Sequence, residues 1–188
     1  MKLDFIDVRR ADSHARARRR VYVELPMEDQ EEGMRGRLEK AMYGTRDAAQ
    51  NWECEYTEFT VSLGFCQGRA NPRVFYRSGR ELRAVVHGDD VAVGGFGGGL
   101  VWFRENIQEK FDAKFRARLG EEERDDKSVR ILHRVIEWKD GFGLVYEADQ
   151  RRAEIIIRDL GVDEKRKAVL TPGVKEVSSE EIVVGATL

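Results

Sequence analysis

The stretch from Val85 to Val93 reads VVHGDDVAV, with two adjacent carboxylates between two apolar runs. Short β-prone runs on either side of a glycine and an acidic residue are typical of a β-hairpin. We therefore predict strands over Leu82–Val86 and Val91–Val93, with Asp89 and Asp90 at the tip between them. The position of these two charges decides how the rest of the chain is interpreted.

Asp89 and Asp90 are candidate metal ligands. On an extended chain adjacent side chains point to opposite sides, so one carboxylate can face a site while the other borders it. Carboxylate oxygens are the ligands that hard cations such as Mg²⁺ prefer. Asp7 is the candidate third ligand, because it follows an apolar strand that could pair beside the hairpin. Ordinary solvated carboxylates of turns and strand ends are the alternative, and both interpretations stay open at this point.

Residues outside the hairpin alternate between strand and helix patterns. Apolar residues recur at three- and four-residue steps over Arg46–Leu63 and Leu100–Phe111, which predicts two amphipathic helices. A third helix is predicted to begin at Asp149 and to end before Gly161. The glycine-rich segment Gly94–Gly99 predicts a flexible connection. The other predicted strands are Leu3–Val8, Val21–Leu25, Val74–Tyr76, Val129–Trp138 and Leu144–Tyr146.

The composition excludes several classes of protein. The 188 residues are 41% hydrophobic and 36% charged with 3 prolines, which is typical of a globular domain and not of a disordered or collagen-like chain. The 2 cysteines provide neither a metal-ligand cluster nor a disulfide framework. No apolar run approaches the roughly 20 residues that span a bilayer, and Met1–Asp7 lacks the apolar stretch of a signal peptide. We therefore expect an intracellular protein, cytoplasmic or nuclear, without a membrane partner.

A basic cluster lies between the first two predicted strands, over Arg16–Arg20. The formal net charge of -2 does not decide whether nucleic acid binds, because phosphate binding depends on a local basic face. Arg16, Arg18 and Arg19 are candidate contacts to a nucleic-acid backbone. A solvated charged surface is the alternative interpretation.

The block from Arg37 to Trp52 reads RLEKAMYGTRDAAQNW. It resembles the leucine-lysine-lysine-alanine-leucine-tyrosine-glycine block, with its downstream tryptophan, of reverse transcriptases from copia-type retrotransposons. Asp7–Ala11 resembles the first catalytic strand of that family, and His87–Asp90 occupies the position of its tyrosine-valine-aspartate-aspartate box. Further segments match in the same order, at Val21–Pro26, Leu63–Phe65, Asn71–Pro72, Val74–Tyr76 and Phe111–Leu119. The resemblance spans residues 1–173.

The resemblance implies an α+β fold, namely a polymerase palm in which a ferredoxin-like antiparallel sheet is backed by helices. Residues 1–173 would form this palm-like domain, with a thumb-like region starting at about residue 149 and a tail or linker over 174–188. No fingers strands precede Met1 in this chain, and it ends before a complete thumb. We therefore expect the fingers and thumb to be incomplete.

The activity implied by the resemblance is that of the RNA-directed DNA polymerase domain of a retrotransposon polyprotein. Asp7, Asp89 and Asp90 would be the catalytic residues and would hold two Mg²⁺ ions, or Mn²⁺ in their place. One ion would activate the primer 3′ hydroxyl, and the other would bind the phosphates of the incoming nucleotide. The partners would be an RNA or DNA primer-template and deoxynucleoside triphosphates.

The same resemblance assigns contacts around these carboxylates. Val8, Tyr43 and Gly44 would bind the nucleotide. Arg46 would contact the template or a phosphate, with a solvated helix-start cation as the alternative.

Two positions depart from the family pattern. The fifth residue after the first catalytic aspartate is an aromatic that screens the sugar 2′ position in reverse transcriptases, and here it is Asp12, which would repel a triphosphate. His87 and Gly88 replace the tyrosine-valine pair, and glycine is expected to loosen the hairpin. These departures favour a truncated or degenerate copy. A catalytically inactive palm remnant that at most binds nucleic acid is the alternative.

Overall fold

The computed structural model describes residues 1–132, 134–146 and 150–161. The chain divides into two compact units, Met1–Glu147 and Ala148–Leu188, and each is described by itself. The first unit is an α+β structure of antiparallel sheets and two α-helices. Its strands are β1 (Lys2–Val8), β2 (Tyr22–Val23), β3 (Gly36–Arg37), β4 (Cys66–Gln67), β5 (Val74–Arg77), β6 (Leu82–His87), β7 (Asp90–Gly95), β8 (Ala113–Leu119), β9 (Ser128–Ile131), β10 (Arg134–Lys139) and β11 (Gly143–Tyr146). Its helices are α1 (Ala48–Ser62) and α2 (Gly97–Lys110).

The main sheet has six strands in the order β4-β5-β6-β7-β1-β8, and neighbouring strands are antiparallel. Both helices pack on one face of it, because alternate residues of the strands are apolar and point to that side. Ile6 and Val8 of β1 are buried there against Trp52 of α1 and Leu100 and Phe103 of α2. Each large side chain that is fully buried in this way contributes about 1.5–3 kcal/mol.

A smaller sheet covers part of the opposite face. Its three strands lie in the order β11-β10-β9. Val129 and Ile136 of this sheet pack against Phe5, Ala117 and Leu119 of the main sheet. Strand β1 is therefore apolar on both faces near its middle. The polar residue Asp7, near the end of β1, lies where the smaller sheet no longer covers the main sheet.

The segment Gly94–Gly99 is not a flexible connection. Gly94 and Gly95 belong to β7, and α2 begins at Gly97. A Cβ atom on Gly95 would overlap the Leu82 side chain, so β6 and the end of β7 approach closely only because glycine is present. The glycines therefore reflect close packing between a strand and a helix start.

The run Val129–Trp138, predicted as one strand, forms the two paired strands β9 and β10. The chain reverses between them, and Leu132 takes a left-handed conformation with φ of 50°. Helices α1 and α2 differ from the predicted bounds by one to three residues at their ends. The predicted strand Val21–Leu25 pairs only over Tyr22–Val23.

The described part of the second unit is one helix, α3 (Gln150–Asp159), which agrees with the helix predicted from the apolar spacing. Its predicted cap, Asp149, and the predicted tail over 174–188 lie outside the described residues. Within the described ranges, no helix combines the length and the apolar character needed to cross a membrane.

Candidate active site

The ends of β1 and β7 bring Asp7 and Asp90 together. The register places Asp7 directly opposite Asp90, which confirms the pairing predicted between β1 and the hairpin. Directly opposed residues of antiparallel strands point to the same face. The face is the one opposite α1 and α2, since the neighbours Ile6 and Val91 point toward the helices. Two carboxylates thus lie side by side at the edge of the covered region.

Asp89 lies in the turn between β6 and β7. His87 pairs with Asp90, so Gly88 and Asp89 form a two-residue loop. Gly88 has φ of 62°, as the first central position of a type II′ hairpin turn requires, and glycine takes that conformation without steric cost. The Asp89 carbonyl oxygen accepts a hydrogen bond of 2.9 Å from the Val8 backbone N–H. The glycine therefore suits the turn, whereas the sequence had predicted a loosened hairpin.

Arg116 of β8 is the cation beside the carboxylate pair. Its Nε lies 3.8 Å from Asp7 Oδ2 and its Nη1 3.9 Å from Asp90 Oδ1. The side chains of Asp7 and Asp90 are 21% and 19% exposed, whereas that of Arg116 is 44% exposed. These contacts are long and partly solvated, so they offset the negative charge only in part. Arg116 could not be singled out from the sequence, because nothing in the pattern of β8 distinguishes it from Lys114 or Arg118.

The pair is an unfavourable place for two negative charges. Partial burial raises the pKa of Asp90, and the charges of Asp89 and Asp7 raise it further, against the opposing influence of Arg116 and His87. A proton on Asp90 or a cation bound beside the two carboxylates would stabilise this site. A divalent ion would relieve the repulsion at its source.

Asp7 and Asp90 are two carboxylates paired across neighbouring strands, a ligand type that suits a divalent cation. Mg²⁺ is commonly bound by one or two carboxylates, with water and substrate phosphates completing the shell. Within residues 1–132, 134–146 and 150–161, no three histidine, cysteine or acidic side chains converge on a point that one ion could occupy. Two of the three predicted ligands are therefore paired, and Asp89 lies beside them in the turn.

A cavity of about 650 Å³ opens on the Asp89 side of the hairpin. Asp12, Tyr43, Trp52 and Arg73 line it together with Asp89. The structure thus brings Tyr43 and Asp12, both singled out from the sequence, to one cavity with one of the predicted catalytic carboxylates. Tyr43 is 89% exposed, so its ring is available to a ligand.

The other residues predicted to bind nucleotide lie in different surroundings. The Val8 side chain is completely buried in the core between the main sheet and the helices, so Val8 offers a ligand no side-chain surface. Gly44 is exposed and has φ of 88°, in the turn that precedes α1. Arg46 is also exposed, two residues before the start of α1.

The basic cluster Arg16–Arg20 is partly neutralised by α1. Arg18 Nη2 donates a 2.9 Å hydrogen bond to Glu58, and Arg19 Nε donates a 2.7 Å hydrogen bond to Asp47. The hydrogen bond from Arg19 lowers the pKa of Asp47. These two arginines attach the segment to the helix, so they are less available to phosphates than the sequence implied. Arg16 is exposed, and its backbone forms an isolated bridge with Lys40.

Trp52 of α1 holds the hairpin tip. Its indole Nε1 donates a 2.7 Å hydrogen bond to the Gly88 carbonyl oxygen. The ring is 3% exposed and packs edge-on against Tyr56 and Phe111 at centroid distances of 5.5 Å and 5.1 Å. A buried aromatic of the helix therefore fixes the turn that carries Asp89 and Asp90. The helical spacing predicted that Trp52 is buried but not this hydrogen bond.

Replacing Trp52 by phenylalanine is expected to loosen the tip while keeping most of the packing. The variant leaves the Gly88 carbonyl without its donor, so the free energy of unfolding should fall by about 1 kcal/mol. Hydrogen exchange of the Val8 amide, which bonds to Asp89, should become faster. Trp138→Phe is the matched control, because the Trp138 indole donates to the exposed carboxylate of Asp140. Equal effects of the two variants on the Val8 amide would contradict the role of Trp52.

Asp90→Asn is expected to stabilise the protein at neutral pH. The pKa of Asp90 lies above the ordinary value of 3.8 in the folded state, so between the two values only the unfolded chain has released this proton. The free energy of unfolding therefore falls as the pH rises between the unfolded-state and folded-state pKa values of Asp90. Asparagine does not titrate, so the variant lacks this decrease. Urea titrations at pH 7 and at pH 3 should give a gain at pH 7 that is absent at pH 3.

Asp125→Asn is the control with the opposite sign. Burial disfavours the charged form of Asp125, but hydrogen bonds from the Lys2 ammonium and the Glu122 backbone N–H outweigh it and lower its pKa. This variant should be destabilised at pH 7. A loss of stability at pH 7 for Asp90→Asn as well would contradict the charge balance described for the pair.

Comparison with protein-family models and with curated proteins finds no match to this chain.

Proposed function

We propose that this chain is the palm of an RNA-directed DNA polymerase of the copia-type retrotransposon class, which transfers nucleotides with two metal ions. One observation carries the proposal: Asp7 lies opposite Asp90 across paired strands, with Asp89 in the adjoining turn. Two carboxylates on neighbouring strands at one edge of a sheet form a template for divalent ions that bind phosphate. The ions are Mg²⁺, or Mn²⁺ as a substitute.

The chain topology supports a palm. Strands β6, β7, β1 and β8 are adjacent in that order, α1 lies between β1 and β6 in sequence, and α2 lies between β7 and β8. Both helices pack on the same face of the sheet. We infer that this is the ferredoxin-like arrangement of a β-α-β-β-α-β unit, with β4 and β5 added at one edge.

The residues around the pair have distinct tasks in this proposal. Asp7 and Asp90 would hold the cation. A bound divalent ion would supply Lewis-acid activation of the primer hydroxyl and charge for the phosphates. Arg116 offers a further positive charge next to the developing negative charge on the phosphates. Trp52 keeps the turn in place through Gly88.

Asp89 lines the cavity of about 650 Å³, whereas Asp7 and Asp90 do not. This cavity is proposed to receive the part of the incoming nucleotide that does not contact the metal. Tyr43 provides exposed aromatic surface, and Arg73 provides a positive charge. Asp12 lies in the same cavity and opposes a triphosphate by charge. We infer weak nucleotide binding and weak discrimination between ribose and deoxyribose.

A catalytically inactive palm that retains nucleic-acid binding is the second candidate function. It is favoured by Asp12 in the nucleotide cavity, and by the pairing of only two of the three carboxylates within the described ranges. The two candidate functions share one fold and differ in whether the protein incorporates nucleotides.

Primer extension decides between them. The full chain is incubated with a labelled DNA primer on an RNA template, deoxynucleotides and Mg²⁺, and a parallel reaction contains a chelator. Extension that requires Mg²⁺ and ceases in the Asp89→Asn, Asp90→Asn double variant would support the polymerase. Binding of the primer-template without extension, by protein with an intact circular dichroism spectrum, would support the inactive palm.

A further inference from the structure

Two arginines share one tryptophan at the far end of the β5–β6 hairpin. The guanidinium Cζ atoms of Arg77 and Arg80 each lie 4.3 Å from the ring centroid of Trp102 in α2. Contacts at this distance are cation–π interactions, which hold a guanidinium at a fixed position. We name Arg77, Arg80 and Trp102 the arginine–tryptophan cluster. It belongs to neither the carboxylate pair nor the cavity beside Asp89.

The charges of the cluster lack counterions in the part of the chain that the structure describes. Neither guanidinium forms an ion pair with a carboxylate of the described residues. Arg77 Nη1 is buried and has no hydrogen-bond acceptor among the described residues. Arg18 and Arg19, by contrast, are each bonded to a carboxylate of α1 or its cap. The cluster is therefore the better candidate for an anion than the basic segment highlighted by the sequence.

Two unpaired cations near one ring repel each other. Their Cζ atoms are at most twice the ring distance apart, and like charges so close destabilise each other. The carbonyl end of α1 offsets part of this cost for Arg77, whose guanidinium lies next to Gly64 just after the helix. Arg80 is exposed. A phosphate bound at the exposed side of the cluster would reduce the repulsion between the two cations.

The chemistry of the cluster favours phosphate. Guanidinium groups present planar pairs of N–H donors that match phosphate oxygens, and the indole fixes their orientation in advance. Two guanidiniums beside one ring can each contact a phosphate of the same strand. The cluster lies at the opposite end of β6 from Asp90, about 17 Å away at the rise of a β-strand.

We propose that the arginine–tryptophan cluster binds the phosphate backbone of a nucleic acid. The proposal rests on the proposed function only for the class of partner. The nucleic acid would pass the turn between β5 and β6, away from the carboxylate pair. Its contribution would be independent of sequence and strongly dependent on salt, because each neutralised phosphate releases a counterion.

The test compares two variants of equal charge. Arg77→Gln, Arg80→Gln removes the cluster, and Arg18→Gln, Arg19→Gln removes two arginines that are already paired. Binding of a fluorescent single-stranded oligonucleotide is measured by anisotropy over a range of salt concentrations. The first variant should lower the slope of log Kobs against log salt by about 1.4, since each phosphate that is no longer neutralised lowers it by about 0.7. The second variant should leave the slope close to that of the wild type.

Several outcomes would overturn the proposal. The first is an equal slope of log Kobs against log salt for both variants. The second is a larger decrease of that slope for Arg18→Gln, Arg19→Gln. The third is stronger binding of the wild-type protein to anionic vesicles than to the oligonucleotide. If Arg77→Gln fails to fold, Arg80→Gln alone, at an exposed position, should lower the slope by about 0.7. Binding of the oligonucleotide does not require nucleotide incorporation. A lowered slope for Arg77→Gln, Arg80→Gln in a chain that extends no primer would therefore support this proposal while the polymerase proposal fails.

Discussion

Asp7→Asn is expected to reduce Mg²⁺-dependent nucleotide incorporation by on the order of 10³-fold. Asparagine keeps the size of the side chain but removes the negative charge that Asp7 contributes opposite Asp90. The metal would then be held by Asp90 without its partner carboxylate, and Arg116 would offset a larger share of the remaining charge. Single-turnover incorporation of one deoxynucleotide into a primed RNA template measures the effect.

Asp112→Asn is the control for Asp7→Asn. The Asp112 carboxylate is half exposed at the start of the segment leading into β8, where it lies 3.9 Å from Arg10. Its removal changes the net charge by the same amount but leaves the carboxylate pair intact. Equal incorporation by wild type and Asp7→Asn, with a normal unfolding transition in both, would place the reactive site elsewhere.

Asp4→Ala is expected to destabilise the fold by roughly 3–5 kcal/mol, because it leaves a largely buried cation without its partner. Asp4 is 1% exposed, and it accepts two hydrogen bonds from Arg118, 2.6 Å from Nε and 2.7 Å from Nη2. These hydrogen bonds raise the pKa of Arg118. The guanidinium stays charged even without them, because arginine is not deprotonated in proteins. Urea unfolding at pH 7 gives the difference directly. The melting temperature should fall by roughly 6–20 °C for a chain of this size.

Glu39→Ala tests whether the position of the ion pair matters. Glu39 accepts hydrogen bonds from Arg37 as well, but both side chains are exposed. Exposed pairs of this kind contribute little, so the unfolding transition should not move measurably. A loss for Asp4→Ala no larger than that for Glu39→Ala would contradict the importance assigned to the buried pair.

The sequence predicted the elements that form the site. The alternation of Leu3–Val8 and the apolar runs around Asp89 and Asp90 have the period of strands with one face in a core. If the strand Leu3–Val8 paired with the hairpin, its end and the hairpin tip would lie at the same edge of the sheet. The register of Asp7 with Asp90 agrees with this prediction.

Contacts between distant parts of the chain could not be predicted. Asp4 and Arg118 are 114 residues apart, and no periodicity links them. Arg18 and Arg19 form a basic run in the sequence, and only the position of α1 reveals that both are paired. Gly95 resembled a linker residue in the sequence. The contact with Leu82 that requires glycine at this position exists only in the folded structure. Long-range packing decides each of these cases.

Binding of Mn²⁺, followed by the loss of its free-ion signal in electron paramagnetic resonance, measures whether Asp7 and Asp90 form a cation site. We predict saturable uptake by the wild-type chain, competition by Mg²⁺, and loss of uptake in Asp7→Asn, Asp90→Asn. Asp112→Asn, Asp140→Asn removes two exposed carboxylates and should leave uptake unchanged. Equal uptake by the wild type and the Asp7→Asn, Asp90→Asn variant would contradict a cation site at the paired ends of β1 and β7.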